Sequence, residues 1–137
     1  MNLSLTVATP TGIVLEVEDI SDVVLPTPNG EVGILRNHLP LLGLLDPGLL
    51  SYSQMGIRHR MAIYLGIFWV SGNRISILTE KAQLPETIDP SSIETSLARN
   101  EKALDEWWHA GMGNPQEYRR LDNELKFCRA QQRAGQH

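Results

Sequence analysis

At 137 residues, with 42% apolar residues and a formal charge of −4, the chain is long enough for one domain with a buried core, or for one domain with an appendage. It lacks the basic surplus of a nucleic-acid binder, and its longest apolar run, Met61 to Val70, is about half of what a membrane span needs. One cysteine, Cys128, excludes an internal disulfide and a metal site built on cysteine.

The start, Met-Asn-Leu-Ser-Leu-Thr-Val, has neither the basic and apolar segments of a signal peptide nor an Arg-rich transit pattern, so the expectation is a chain made and used in one compartment, or one whose address has been removed. From Asn2 to Val7, Leu3, Leu5 and Val7 alternate with polar residues, the pattern of a half-buried strand that Thr9-Pro10-Thr11-Gly12 ends. Ile13, Leu15 and Val17 continue the alternation, and Ile20 to Leu25 is β-rich.

The stretch from Leu25 to Leu50 holds four of the eight prolines, so it reads as turns between short apolar strands. Asn29 and Gly30 after Pro28 suit a tight turn with positive φ, and Asp46-Pro47-Gly48 suits another. Between them lies the polar knuckle Arg36-Asn37-His38-Leu39-Pro40. Such a stretch is either a docking surface or an active site. Strands then follow over Leu49 to Ser53, Arg58 to Tyr64, Tyr64 to Val70 and Arg74 to Thr79, turning at Met55-Gly56 and Ser71-Gly72-Asn73. Many short strands at close spacing predict an antiparallel sandwich or flattened barrel.

Near Leu84 the period changes from two to about 3.6. Residues 1–84 read as a β-sandwich, 85–89 as a connector and 90–137 as a helical hairpin, with helices over about 90–110 and 115–134. Asp89 caps the first helix ahead of Pro90, and Asn114 caps the second ahead of Pro115, with Glu117 placed to reach back. Gly111-Met112-Gly113 stops the first helix. Ile93, Leu97, Leu104 and Trp108 share one face, and Tyr118, Leu121, Leu125 and Cys128 form a narrow seam on the second helix. Trp107 and Trp108 cannot both face that seam. The fold class is therefore α+β in sequence order, an N-terminal antiparallel β-sandwich followed by an antiparallel α-helical hairpin. Two narrow seams offset too little of the ordering entropy for the hairpin to stand alone, which makes it a moving part that needs the sandwich or a partner.

Up to Asp89 nine acids face five bases, whereas Arg119, Arg120, Lys126, Arg129 and Arg133 outnumber Glu117, Asp122 and Glu124 from Pro115 onward. An acidic partner suits that helix. No cofactor is expected: there is no Gly-rich phosphate loop, and His38, His59, His109 and His137 show no metal-ligand spacing. A hydrolase using His38 and Glu31 lacks a nucleophile motif and paired carboxylates, so His38 is expected to bond the backbone of its own loop.

The order of parts resembles the epsilon subunit family of rotary F-type ATP synthase, called delta in mitochondria. The matching residues are Leu5 to Gly12, Val24-Leu25-Pro26, Gly30-Glu31-Val32-Gly33-Ile34-Leu35, Asn37-His38-Leu39-Pro40-Leu41-Leu42, Asp46-Pro47-Gly48 and Ile88-Asp89. The resemblance implies a non-catalytic central-stalk subunit of a proton- or sodium-translocating synthase. It implies docking on gamma and the c-ring through Asn29, Gly30, Glu31, Gly33, His38 and Leu42. It also implies a hairpin that extends along gamma, where Arg119, Arg120, Lys126, Arg129 and Arg133 meet acidic segments of the alpha and beta subunits and block ATP hydrolysis. The resemblance further implies that the membrane is reached only through the complex, on the cytoplasmic face of a bacterial inner membrane or the stromal face of a thylakoid. Some members bind ATP through Ile-Asp-x-x-Arg-Ala; Ile88 and Asp89 match, but Ser92 and Ile93 stand at the Arg and Ala positions, which predicts weak or absent ATP binding. A free-standing β-sandwich binding module, dimerising through the Tyr118 to Cys128 seam, is the alternative reading.

Overall fold

The computed structural model describes residues 2–111 and 113–136. Among the described residues ten strands precede two helices: β1 (Leu3–Thr9), β2 (Gly12–Ile20), β3 (Asp22–Thr27), β4 (Gly30–Leu35), β5 (Leu41–Leu45), β6 (Gly48–Gln54), β7 (Ile57–Ile63), β8 (Gly66–Ser71), β9 (Arg74–Thr79) and β10 (Ala82–Gln83), then α1 (Pro90–His109) and α2 (Pro115–Ala134). The strands form two five-stranded sheets, β2-β1-β9-β8-β5 and β10-β7-β6-β3-β4. Neighbours are antiparallel except β1 and β9, which run parallel. That pair departs from the all-antiparallel expectation because β1 joins the sheet from the far end of the chain rather than through a hairpin.

Alternation sets the core. Leu3, Leu5 and Val7 of β1, Val23 and Leu25 of β3, and Phe68, Val70, Ile75 and Ile77 of β8 and β9 meet between the sheets, each strand giving every second residue to the inside. At one end of the sandwich Asn73 and the 36–40 loop come together, with Asn37 N–H bonded to Asn73 Oδ1 at 2.7 Å. At the other, Asp46 N–H is bonded to Pro26 O at 3.1 Å beside the Pro28 to Gly30 turn.

The helix caps follow the expected chemistry. Asp89 accepts from Ser91 N–H at 3.3 Å and Asn114 Oδ1 from Gln116 N–H at 2.9 Å. Glu117 does not reach back to its cap; Arg120, one turn on, takes its carboxylate at 2.6 Å and holds it below the usual carboxylate range. The expected stop at Gly111-Met112-Gly113 includes Met112, which lies outside the described residues. Gly111 has φ +87°, the left-handed geometry that glycine tolerates best.

The hairpin is docked on the sandwich. Phe127 and Ala130 of α2 pack on Ala62 and Tyr64, while Leu121, Leu125 and Cys128 turn the opposite way and are buried against α1. At about 100° per residue these two groups lie on opposite sides of α2, so α2 is the middle layer and α1 the outer one. The narrow seam expected for α2 is thus only half of its apolar surface; the other half is Phe127 with Ala130 and Ala134, a single large side chain that sets no period by itself. The Tyr118 to Cys128 seam, offered as a surface between chains, is filled by this chain's own α1. On α1 the seam ends at Trp107 rather than Trp108. Trp107 packs on Tyr118, the rings tilted with centroids 5.2 Å apart, and donates to Asn114 O at 3.3 Å, and Trp108 is 53% exposed.

Candidate functional site

The outer face of the β2-β1-β9-β8-β5 sheet should be polar if water covered it, since an antiparallel sheet facing solvent alternates cleanly. It is not. The register aligns Ile13 with Ala8, Ala8 with Leu78, Leu78 with Ile67 and Ile67 with Leu44. One apolar row therefore crosses all five strands, and Ile13 (63%), Leu78 (45%), Ile67 (38%) and Leu44 (64%) are all exposed. In the next row Trp69 lies opposite Leu42. An open apolar band of this extent is the signature of a protein docking surface.

Of the residues singled out in the sequence, Leu42 belongs to this band. Asn29, Gly30 and Glu31 form an exposed turn at one end of β4, closed by Thr27 Oγ1 donating to Gly30 O at 2.5 Å, with Gly30 at φ +111°. Gly33 is exposed in mid-strand. His38 lies beyond the other end of β4, where its N–H is bonded to Leu35 O at 3.3 Å and its Nδ1 to Leu39 O at 2.7 Å. The strand alone puts roughly 13 Å between Glu31 and Leu35, so Glu31 and His38 do not converge and the hydrolase geometry is not formed. The sequence reading missed Ile13, Leu44, Ile67, Trp69 and Leu78. The signal was there: Leu65 to Val70 is apolar at consecutive positions, which means a strand covered on both faces.

The basic residues of α2 sort into two groups. Arg119, Lys126, Arg129 and Arg133, spaced 7, 3 and 4 apart, fall within about 80° of one another around the helix. Arg120 falls on the other side, paired with Glu117. Arg119, Arg129 and Arg133 are exposed, and no ion pair engages them among the described residues. Lys126 is held by Asp46 at 3.1 Å and Asp122 at 3.2 Å. Burial alone would lower its ammonium pKa, but the two carboxylates raise it overall.

Ile88 ends the 3-10 turn Pro85–Thr87, and Asp89 is spent on capping α1. Between hairpin and sandwich lies a cleft lined by Lys81, Asp89, Ser92, Arg99, Arg120 and Glu124, among others. Ser92 brings only a short hydroxyl to it. Among the described residues no group of three or more His, Cys, Asp or Glu gathers as a metal site, and no helix is long and apolar enough to cross a membrane.

Comparison with known proteins points to a family. Residues 2–85 match the ATP synthase, Delta/Epsilon chain, beta-sandwich domain. The ATP synthase epsilon chain of Symbiobacterium thermophilum is 42% identical over 75% of this chain and 74% of its own length. That of Synechocystis sp. is 30% identical over 98% of both. Among solved structures, a chain of the Euglena gracilis mitochondrial ATP synthase OSCP/F1/c-ring assembly shares the fold, with TM-score 0.78 at 20% identity over 97% of this chain and 81% of that one.

Proposed function

This chain belongs to the delta/epsilon family of F-type ATP synthase subunits, and we propose that it is a non-catalytic rotor subunit that docks on gamma through the apolar band and restrains ATP hydrolysis through its hairpin. The observation that carries the reading is the row Ile13-Ala8-Leu78-Ile67-Leu44, a surface that has no use for a chain working alone. The exposed Asn29-Gly30-Glu31 turn, with Gly33 beyond it, and the 36–40 loop with His38 lie at the two ends of β4, on hand for the c-ring. The stripe of Arg119, Lys126, Arg129 and Arg133 supports contact with acidic segments of the alpha and beta subunits once the hairpin extends. The subunit is peripheral and meets the cytoplasmic face of a bacterial inner membrane, or the stromal face of a thylakoid, only through the complex.

Nucleotide plays a small part in this reading. Asp89 is engaged with Ser91, and Ser92 stands at the Arg position of the family's ATP motif; that departure supports weak or absent ATP binding, although Lys81, Arg99 and Arg120 also line the cleft. Binding of purified gamma tests the docking claim. The intact chain binds it, and Leu44→Asp combined with Ile67→Glu does not; retention of gamma by the double variant contradicts the band as the docking face.

A further inference from the structure

β7 has one finished edge and one open one. The turn Met55-Gly56, with φ +52° and +78°, closes on the pair Gln54–Ile57, and the hydrogen bonds of an antiparallel ladder alternate from there. His59, Met61 and Ile63 therefore bond to β6, while Arg58, Arg60 and Ala62 turn their N–H and C=O groups the other way. On that side β10 takes Ala62 through Gln83. Continued, the register would set Pro85 opposite Arg60, but proline has no N–H to give, and the chain leaves in the 3-10 turn Pro85–Thr87. Among the described residues no other backbone bond reaches Arg58 or Arg60.

A cleft of about 430 Å³ touches Arg58, His59, Arg60 and Met61 in succession. Successive side chains of a strand point to opposite faces, so a cleft that meets all four runs along the edge rather than over one face. Leu15 and Leu84 line its inner part, and so does Tyr52, 7% exposed, its ring stacked on His59 with centroids 5.0 Å apart. Among the described residues no hydrogen bond takes the Tyr52 hydroxyl, and no buried side-chain oxygen or nitrogen is left unbonded, so this hydroxyl opens into the cleft. Burial, then the Glu86 charge, raise its pKa and keep it a donor. On the outer face Arg58 is spent on Asp22, Ser53 and Ser51. Arg60 is exposed and enters no ion pair among the described residues.

We propose that the open edge of β7 is a strand-addition site for an extended acidic segment of another polypeptide. The segment's main chain pairs with Arg58 and Arg60, and its residue opposite Arg60 shares that side chain's face and carries a carboxylate. The neighbouring residue points inward beside His59. Threonine suits that position, with a methyl for Leu15 and Leu84 and an oxygen to accept from Tyr52. Charge on an edge strand discourages pairing with a second copy, and here it also selects the partner. The site lies apart from the apolar band and does not rest on the rotor reading.

Nuclear magnetic resonance of the isotopically labelled full chain, titrated with the blocked peptide Gly-Glu-Thr-Glu-Gly up to about 10 mM, tests the site. A glutamate on each side of the threonine presents one to Arg60 in either strand direction. The Arg58 and Arg60 amides are expected to shift most. Methylating the two glutamate backbone nitrogens, or replacing both glutamates by lysine, is expected to weaken binding roughly tenfold. Arg60→Glu is expected to reverse the preference between the glutamate and lysine peptides and, being at an exposed position, to leave the melting temperature nearly unchanged. Unmoved Arg58 and Arg60 amides overturn the site. Equal binding of the methylated peptide overturns strand addition, and equal binding of the lysine peptide overturns the choice of an acidic partner. Shifts of the two amides with protein concentration alone assign the edge to a second copy and overturn the proposal.

Discussion

Trp69 lies directly across the β8–β5 ladder from Leu42, and both side chains stand on the outer face of the sheet, 42% and 72% exposed. Large aromatic and aliphatic groups paired in the open have little role in this chain's own core and a large one in a partner's grip. Trp69→Ala should weaken gamma binding by one to two orders of magnitude, on the order of 2 kcal/mol. It should leave the melting temperature within a few degrees of the natural chain, as calorimetric titration and thermal melting together will show.

A second prediction concerns Gly66, which opens β8. A Cβ there would drive into the Leu78 carbonyl and lie 2.7 Å from Thr79 Cα, both backbone atoms that cannot swing aside. Gly66→Ala should cost about 1–3 kcal/mol and weaken docking with it, because the β8–β9 ladder carries Ile67 and Leu78. Gly33, with nothing within 4 Å of its Cβ position, is the control, and chemical denaturation of the two variants compares them directly.

The hairpin and sandwich halves were legible in the sequence for different reasons. Alternation and turn residues marked the strands, and Asp89-Pro90 and Asn114-Pro115 marked the helix starts, since caps are local chemistry. The band was not legible as a band, because it exists only once β1, β9, β8 and β5 are laid side by side. Leu41 to Leu45, four leucines about one glycine, gives no inside and outside by pattern. Likewise the docked face of α2 is one aromatic, Phe127, beside two alanines, and what separates Trp107 from Trp108 is the bond from Trp107 to the Asn114 carbonyl, a contact across the turn.

High pH should loosen the hairpin. Burial, then the neighbouring Glu124 charge and its hydrogen bond, push the Tyr64 hydroxyl up to about 12, and Lys126 is also raised. Groups whose folded pKa lies above the unfolded value contribute stability that is complete below about pH 10 and lost as the pH rises toward about 12. Thermal melting should therefore be flat from pH 7 to 9 and fall above pH 10. In Tyr64→Phe the fall should be shallower, on a baseline lower by about 1 kcal/mol for the lost hydrogen bond.

Cys128 offers a probe that needs no added label. It is buried between the helices, 4% exposed, with Asn100 Nδ2 at 3.6 Å from Sγ, and burial pushes its thiol pKa up. An aromatic disulfide reagent at pH 8 should react at least tenfold more slowly than with free cysteine. Phe127→Ala, which should loosen the sheet contact by about 3 kcal/mol, should accelerate the reaction only if undocking also parts the two helices, so equal rates mean that the hairpin moves as a unit.

Among the described residues the main sandwich core, from Leu3 to Ile77, draws on no residue of the helices, so a chain ending at Asp89 is expected to keep the apolar band. The central measurement is the ATPase activity of the catalytic head, alpha, beta and gamma, with the full chain and with the shortened one. The account predicts that both bind and that only the full chain slows hydrolysis. Equal activity with the two forms would contradict the inhibitory hairpin, and failure of either form to bind the head would contradict the docking face itself.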